Sequence, residues 1–175
     1  MCIRDSGQAV LRAAFPGLRD LGDATVEQLQ ACEAEIAAEA YKRCRHVVTE
    51  NARVLQAREA MLAGDPKKLG KAMLAAHASY RDDFGASIPE IDFLVETAMA
   101  LEGCYGARLT GGGFGGCTVN LVAAEHADAF GNAIRQAFLT QYNIEAPVYV
   151  CEAVDGAVRR NGLDDAAKAA TGANA

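Results

Sequence analysis

The sequence predicts an α+β fold in which helices pack on one face of a small, mostly antiparallel sheet. Before Gly103, apolar residues recur at spacings of three and four, which is the period of amphipathic helices. Two short β-prone runs then flank a glycine-rich loop, and a helical segment and a third β-prone run follow. Helices followed by a strand–strand–helix–strand unit are typical of an α+β layer.

The predicted helices are delimited by capping signals. Thr25 with Gln28, and Ser87 with Glu90, have the spacing of capping boxes, and Asp65 precedes a proline at a first helical position. The helices are expected from Val26 to Ala38, from Glu39 to Leu62, from Pro66 onward, from Pro89 onward and from Glu125 to Tyr142.

Each helix has one apolar face that should be buried. From the second helix to the last, these faces are Cys44, Val47, Val48, Leu55, Met61 and Leu62; Leu69, Met73, Ala76 and Tyr80; Ile91, Leu94, Val95 and Ala98; and Phe130, Ile134 and Phe138. Cys44, Cys117 and Cys151 lie within apolar patterns and are expected to be small core residues. No cysteine or histidine has zinc-ligand spacing, so no metal site is expected.

The strands are predicted at Tyr105 to Thr110, Cys117 to Ala123 and Pro147 to Val154. Between the first two lies a loop with five glycines in six positions, Gly111, Gly112, Gly113, Phe114, Gly115 and Gly116. Two explanations stay open for this cluster. The glycines serve a bulged hairpin with positive φ and tight packing, or they let the backbone approach a ligand such as a phosphate.

Composition excludes several classes of protein. The chain has 175 residues, 51% of them apolar, and a net charge of −6, which favours one folded domain over a disordered chain and opposes nucleic-acid binding. It contains no apolar run of the roughly 20 residues that span a bilayer, and its first six residues lack the apolar core that is typical of a signal peptide. We therefore expect a cytoplasmic protein that binds neither nucleic acid nor membrane.

Four motifs, in order, carry a family resemblance. They are Arg45 to Leu55 (RHVVTENARVL), His77 to Phe84 (HASYRDDF), Ile88 to Asp92 (IPEID), and Gly106 to Val122 around the glycine loop. Together they resemble the galactokinases of the GHMP small-molecule kinase superfamily, over residues 7–156. The resemblance implies the GHMP kinase carboxy-terminal domain fold for these residues. Residues 1–6 fit no pattern of the family, so we expect that they are not the natural start. Residues 157–175 are rich in Ala, Gly, Asn and charged residues, which predicts a flexible tail.

The motifs that such kinases carry in their amino-terminal half, a GRVNLIGEHTDY-type sugar motif and a PxGxGLSSSA phosphate loop, do not occur here. The resemblance therefore implies a carboxy-terminal half whose partner is the missing amino-terminal lobe. It implies transfer of a phosphoryl group from ATP, with Mg²⁺, to the anomeric hydroxyl of galactose. No residue here matches the family's catalytic base, so the fragment alone is expected to be inactive, with Gly111 to Gly116 closing the site.

Several polar side chains have alternative roles. Arg108 either presents its charge to the cleft or pairs with a neighbouring acid, and Ser79 and Thr110 are possible cleft-lining residues. His77 is expected to be a partly buried histidine with satisfied hydrogen bonds. Asp82 and Asp83 favour a solvated or loop-pairing cluster over catalysis. Asn51 is expected to face the apolar stripe and to bond a neighbouring segment.

Other functions remain open at this point. The fold also serves galactokinase-like sensors of sugar and ATP that act in transcription, and kinases of other sugars or sugar amines. A free-standing α+β binding module is the third alternative.

Overall fold

The computed structural model describes residues 3–152. Residues 1–2 of the expected unnatural start, the end of the predicted third strand and the tail at 157–175 lie outside the described residues. The helices and strands are α1 (Ile3–Ala14), α2 (Val26–Ala31), α3 (Ala38–Leu62), α4 (Pro66–Ser79), α5 (Pro89–Ala100), β1 (Cys104–Thr110), β2 (Cys117–Val122) and α6 (Ala127–Tyr142). Short 3₁₀ turns lie at Leu21–Asp23, Glu33–Glu35 and Ala124–His126, and one π-helical turn, Tyr80–Phe84, follows α4 directly.

The predicted fold class is confirmed: helices pack on a small antiparallel sheet. β1 and β2 are antiparallel, with Thr110 opposite Cys117 and Arg108 opposite Val119. α4 and α5 both contact β1. Within residues 3–152, no helix combines the length and the apolar character needed to cross a bilayer.

The capping predictions differ in their outcome. Thr25 and Gln28 make both bonds of a capping box, and the Asp65 carboxylate accepts from the backbone N–H of Lys68 at 2.9 Å. The prediction of a capping box at Ser87 is wrong. The Ser87 hydroxyl instead donates to the Asp92 carboxylate at 2.5 Å, and α5 begins without a side-chain cap. A proline at its first position already removes one of the N–H groups that a cap would satisfy.

Two predicted elements are shorter or absent. The first predicted helix ends at Ala31, because a 3₁₀ turn follows and brings Ile36 into the same core cluster as Cys32. The predicted third strand is not formed over its described residues, 147–152. Pro147 has no N–H to donate to a ladder, and Val148 packs on a core cluster instead of pairing with a strand.

Within residues 3–152, two clusters of buried side chains form much of the core. One joins α1, α2 and α3 around Leu11, Leu29 and Cys44, and the other joins α5, β1 and α6 around Val95, Ala107 and Ile134. The predicted faces of α5 and α6 are confirmed in the residues that are fully buried, namely Ile91, Val95, Ala98, Phe130, Ile134 and Phe138.

Some core predictions are wrong. On α3, Cys44 and Val48 are buried, but Leu55, Met61 and Leu62 are exposed, because α1 and α2 cover only the first half of this long helix. Cys117 and Cys151 are also exposed. Cys117 stands at the end of β2 opposite the exposed Thr110, and Cys151 lies in the segment that does not join the sheet.

Two glycines allow a close contact between helix and sheet. A Cβ atom on Gly70 of α4 would overlap the carbonyl of Tyr105, and one on Gly106 would overlap the backbone of Gly70. The helix and β1 therefore touch backbone to backbone. This contact places the C-terminal half of α4 beside the strand that leads into the glycine loop.

We predict that Gly70→Ala lowers the unfolding free energy by about 3 kcal/mol or more, since the methyl group would overlap backbone that cannot rotate away. Urea denaturation followed by circular dichroism measures this. Gly17→Ala is the matched control, because a Cβ there meets nothing within 4 Å, and it should change stability by less than about 0.5 kcal/mol. Equal stability of the two variants would contradict the backbone contact.

Candidate functional site

The loop between β1 and β2 depends on glycine for its backbone conformation. Gly111, Gly113, Gly115 and Gly116 have φ values of 99°, 87°, 130° and 97°, which side chains rarely allow. Phe114 itself adopts φ 56°, an uncommon conformation for a bulky residue. Positive φ is therefore one of the reasons for the cluster.

One side of the loop is fixed to the segment between α4 and α5. The backbone N–H of Phe114 donates to the carbonyl oxygen of Ala86 at 2.7 Å. A Cβ atom on Gly113 would lie 2.5 Å from the same oxygen and 2.9 Å from the Ala86 Cβ. Close packing thus adds a second reason for glycine at position 113.

The other side of the loop is open. A Cβ on Gly111 or Gly112 would meet nothing within 4 Å. Gly112 also lacks the positive φ of its neighbours. Neither the conformation nor the packing of the described residues therefore explains glycine at position 112. Phe114 is 74% exposed beside it.

A buried carboxylate lies three residues before Ala86. Asp83 bonds the guanidinium of Arg45 through Nε at 3.0 Å and through Nη2, and it accepts from the Ser79 hydroxyl at 2.9 Å. The same hydroxyl lies 3.1 Å from Nδ1 of His46. Burial lowers the pKa of His46, and the nearby Glu50 carboxylate opposes this shift only in part. His46 is therefore neutral at pH 7.

A second buried network holds the strand that enters the loop. The backbone N–H of Leu109 donates to Nδ1 of His77 at 3.4 Å, and Nε2 of His77 lies 3.2 Å from the Asp92 carboxylate. Because Nδ1 accepts, the proton of neutral His77 resides on Nε2. Burial lowers the pKa of His77, against the opposing effect of Asp92. His77 is more deeply buried than expected, and it links α4, α5 and β1. The expectation of satisfied hydrogen bonds holds at Nδ1 but is wrong at Nε2, which lies near Asp92 without a hydrogen-bond partner.

The structure places the other candidate residues as follows. Nη1 of Arg108 lies 3.3 Å from the Glu50 carboxylate, so Arg108 pairs with a neighbouring acid. Thr110 is exposed at the end of β1, directly before the loop. Ser79 is buried, and its hydroxyl is engaged in the Asp83 network.

Two further expectations have definite outcomes. Asp82 is paired with Arg81 and Asp83 with Arg45, which agrees with a pairing cluster. Asn51 donates to the carbonyl of Gly22 at 3.1 Å, so the predicted bond to a neighbouring segment is confirmed, but its side chain is exposed rather than buried. No group of three or more His, Cys, Asp or Glu residues within the described range could hold a metal ion.

The sequence profile of the family described as GHMP kinases C terminal matches residues 57–140. This range contains α4, α5, both strands and the glycine loop. Residues 57–140 thus belong to the family of GHMP kinase C-terminal domains. Of the four motifs, the last three lie within this range.

Relatives of this GHMP kinase domain include named enzymes. The chain is 46% identical over 155 residues to a galactokinase of Roseiflexus sp.. The aligned segment covers 89% of the chain and 40% of the relative. It is 50% identical over 112 residues to a galactokinase of Chloroflexus aurantiacus. This aligned segment covers 64% of the chain and 29% of the relative.

A solved structure shares the fold. The crystal structure of Lactococcus lactis galactokinase complexed with galactose matches with a TM-score of 0.77 and 34% identity, over 82% of this chain and 37% of that one. In both comparisons the chain spans well under half of the related protein, about 40% of the Roseiflexus galactokinase and 37% of the Lactococcus one.

We predict that Gly113→Ala lowers the unfolding free energy by about 2 kcal/mol, because it combines a left-handed φ with overlap on Ala86. Gly112→Ala is the control on the open side of the loop and should cost less than about 0.5 kcal/mol. Chemical denaturation of both variants measures the difference. A loss at position 112 as large as that at position 113 would show that the open side is packed.

Proposed function

We propose that the chain is the carboxy-terminal part of a galactokinase, which transfers a phosphoryl group from ATP to the anomeric hydroxyl of galactose. The relatives that span most of the chain are named galactokinases, and the related crystal structure holds galactose. In this proposal the loop from Gly111 to Gly116 closes the active site from one side. Thr110, at the exposed end of β1, lines the same cleft.

The glycine at position 112 is the observation that supports a role of the loop in ligand binding. Neither a positive φ nor packing against the described residues requires glycine at position 112. The remaining reason for glycine is that another group approaches the backbone closely there. A side chain at this position would stand on the open side, where the sugar and the terminal phosphate are proposed to bind. The loop is anchored behind this surface through Phe114 and Ala86, so its amides are held in place before a ligand arrives.

Positioning matters most in phosphoryl transfer, where catalysis consists mainly of alignment and of stabilising charge on the transferred group. Backbone amides in a turn with positive φ provide local positive potential, although the net charge of the chain is −6. The open loop fits the approach of a phosphate. We assign Mg²⁺ and most of the nucleotide to the amino-terminal lobe that we propose as partner, because the kinases that this chain resembles carry their phosphate-binding loop in that lobe.

When bound, ATP with Mg²⁺ supplies the phosphoryl group and neutralises its charge. The residues of this chain contribute shape and position. Arg108 does not serve as a free cation, because Glu50 already pairs with it and with Arg53. The catalytic base is also assigned to the missing lobe, since none of the residues here matches it.

A chimeric enzyme tests the proposal. This chain replaces the matching segment of the Roseiflexus galactokinase, and formation of ADP is measured with galactose and with other sugars. We expect galactose-dependent turnover and a product phosphorylated at the anomeric oxygen, whereas the chain alone should give no turnover above the blank.

Gly112→Val in the chimera is the decisive variant. It should lower kcat/KM by about 100-fold or more, because a displacement of about 1 Å at the reacting group has that effect, while the melting temperature stays unchanged. Full activity in this variant would refute the proposed role of the loop. A folded chimera without this substitution that binds ATP but gives no turnover with galactose would refute the proposal that this chain completes the active site of a galactokinase.

A further inference from the structure

We propose that Asp83 is a positioning residue that fixes the conformation of the glycine loop through Ala86 without touching substrate. The catalytic part of this inference rests on the proposed function, since it takes the loop to be part of the active site. The conformational part stands on the contacts of the chain alone.

The carboxylate of Asp83 is held from two elements. Arg45 of α3 binds it through two nitrogens, and the Ser79 hydroxyl at the end of α4 donates to its other oxygen at 2.9 Å. Asp83 is only 7% exposed. A buried charge with these partners has one favourable position, because moving it would leave the carboxylate without compensation.

The backbone from Asp83 to Ala86 has little freedom. Nη1 of Arg43 donates to the carbonyl of Asp83 at 2.7 Å, and the same guanidinium would lie 2.6 Å from a Cβ on Gly85. The backbone N–H groups of Gly85 and Ala86 both bond the carbonyl of Tyr80. The position of Asp83 is therefore transmitted to Ala86.

Ala86 is the point where this segment meets the loop. It is 1% exposed, its oxygen accepts from the N–H of Phe114, and it abuts Gly113. On its far side, Ser87 bonds Asp92 of α5. Ala86 is thus held between Asp83 and Ser87, and a shift at Asp83 moves the surface on which the loop rests.

Asp82 provides a matched control. It neighbours Asp83 in sequence, but it is exposed and bonds the adjacent Arg81. Replacing either aspartate by asparagine removes one carboxylate from the same π-helical turn. Only the change at Asp83 affects the contacts that lead to Ala86.

The chain contains no tryptophan, so Phe114→Trp introduces a single probe at the exposed tip of the loop. Time-resolved fluorescence anisotropy of this variant reports nanosecond motion of the loop. Adding Asp83→Asn should at least double the fraction of anisotropy lost in the fast component, with unchanged helical circular dichroism. Adding Asp82→Asn should leave that fraction unchanged. An unchanged anisotropy in the Asp83 variant overturns the proposal, even if its melting temperature falls.

If the Asp83 variant does not fold, Arg45→Lys replaces it, since lysine keeps the charge but cannot form the two-nitrogen contact. It is expected to raise the same fast component, and unchanged anisotropy in it overturns the proposal equally. In the chimera, Asp83→Asn should lower kcat about 10-fold or more with KM for ATP within about 2-fold. An inactive chimera refutes the proposed function alone, because the anisotropy measurement does not depend on it. Normal kcat in an active chimera refutes the positioning role.

Discussion

A buried carboxylate has to be compensated where it lies, and the arrangement around the glycine loop depends on this requirement at Asp83. Arg45 meets it from α3, Ser79 from the end of α4, and the segment that follows is then fixed up to Ala86. The loop rests on Ala86 through one hydrogen bond and one close glycine contact. In the arrangement that we propose, this buried charge determines the position of the exposed loop.

The strand that enters the loop is fixed by a different set of contacts. Gly70 and Gly106 bring α4 onto β1 backbone to backbone, and His77 of α4 then accepts the N–H of Leu109. Because burial keeps His77 neutral, one ring nitrogen can accept while the other faces Asp92. The loop is therefore held at its entrance and at its tip, whereas the backbone around Gly111 and Gly112 stays open. This combination of a rigid support and a free surface is suited to holding a phosphoryl group in position.

Local signals predicted most of the elements, because caps and apolar spacing act within one helix. The box at Thr25, the start at Asp65 and the buried faces of α5 and α6 needed no distant partner. The wrong predictions concern tertiary surroundings. Leu55 and Leu62 continue the stripe of α3 but lie beyond the helices that cover it, and the run at Pro147 has β-prone residues but forms no ladder within the described residues.

For the candidate site, the sequence indicated the loop through its glycines but left two reasons for them open. The structure shows which reason applies at each position. Gly113 packs closely against Ala86, whereas a side chain at Gly112 would meet only open space. The pairing of Arg45 with Asp83 was missed, since 38 residues separate them and no local pattern joins an arginine on one helix to an acid after another. Charged residues next to apolar helix positions were the only sequence signal for a buried ion pair. They do not show which acid pairs with which arginine.

The bond from the Phe114 N–H to the Ala86 carbonyl fixes the glycine loop to the segment between α4 and α5. Amide hydrogen exchange of Phe114, measured by nuclear magnetic resonance on this chain, tests it most directly. With this bond in place, exchange should be slowed by about 100-fold or more relative to an unstructured peptide, although the Phe114 side chain is exposed. Exchange at the rate of an unstructured peptide would contradict it, because the loop would then be free of its support.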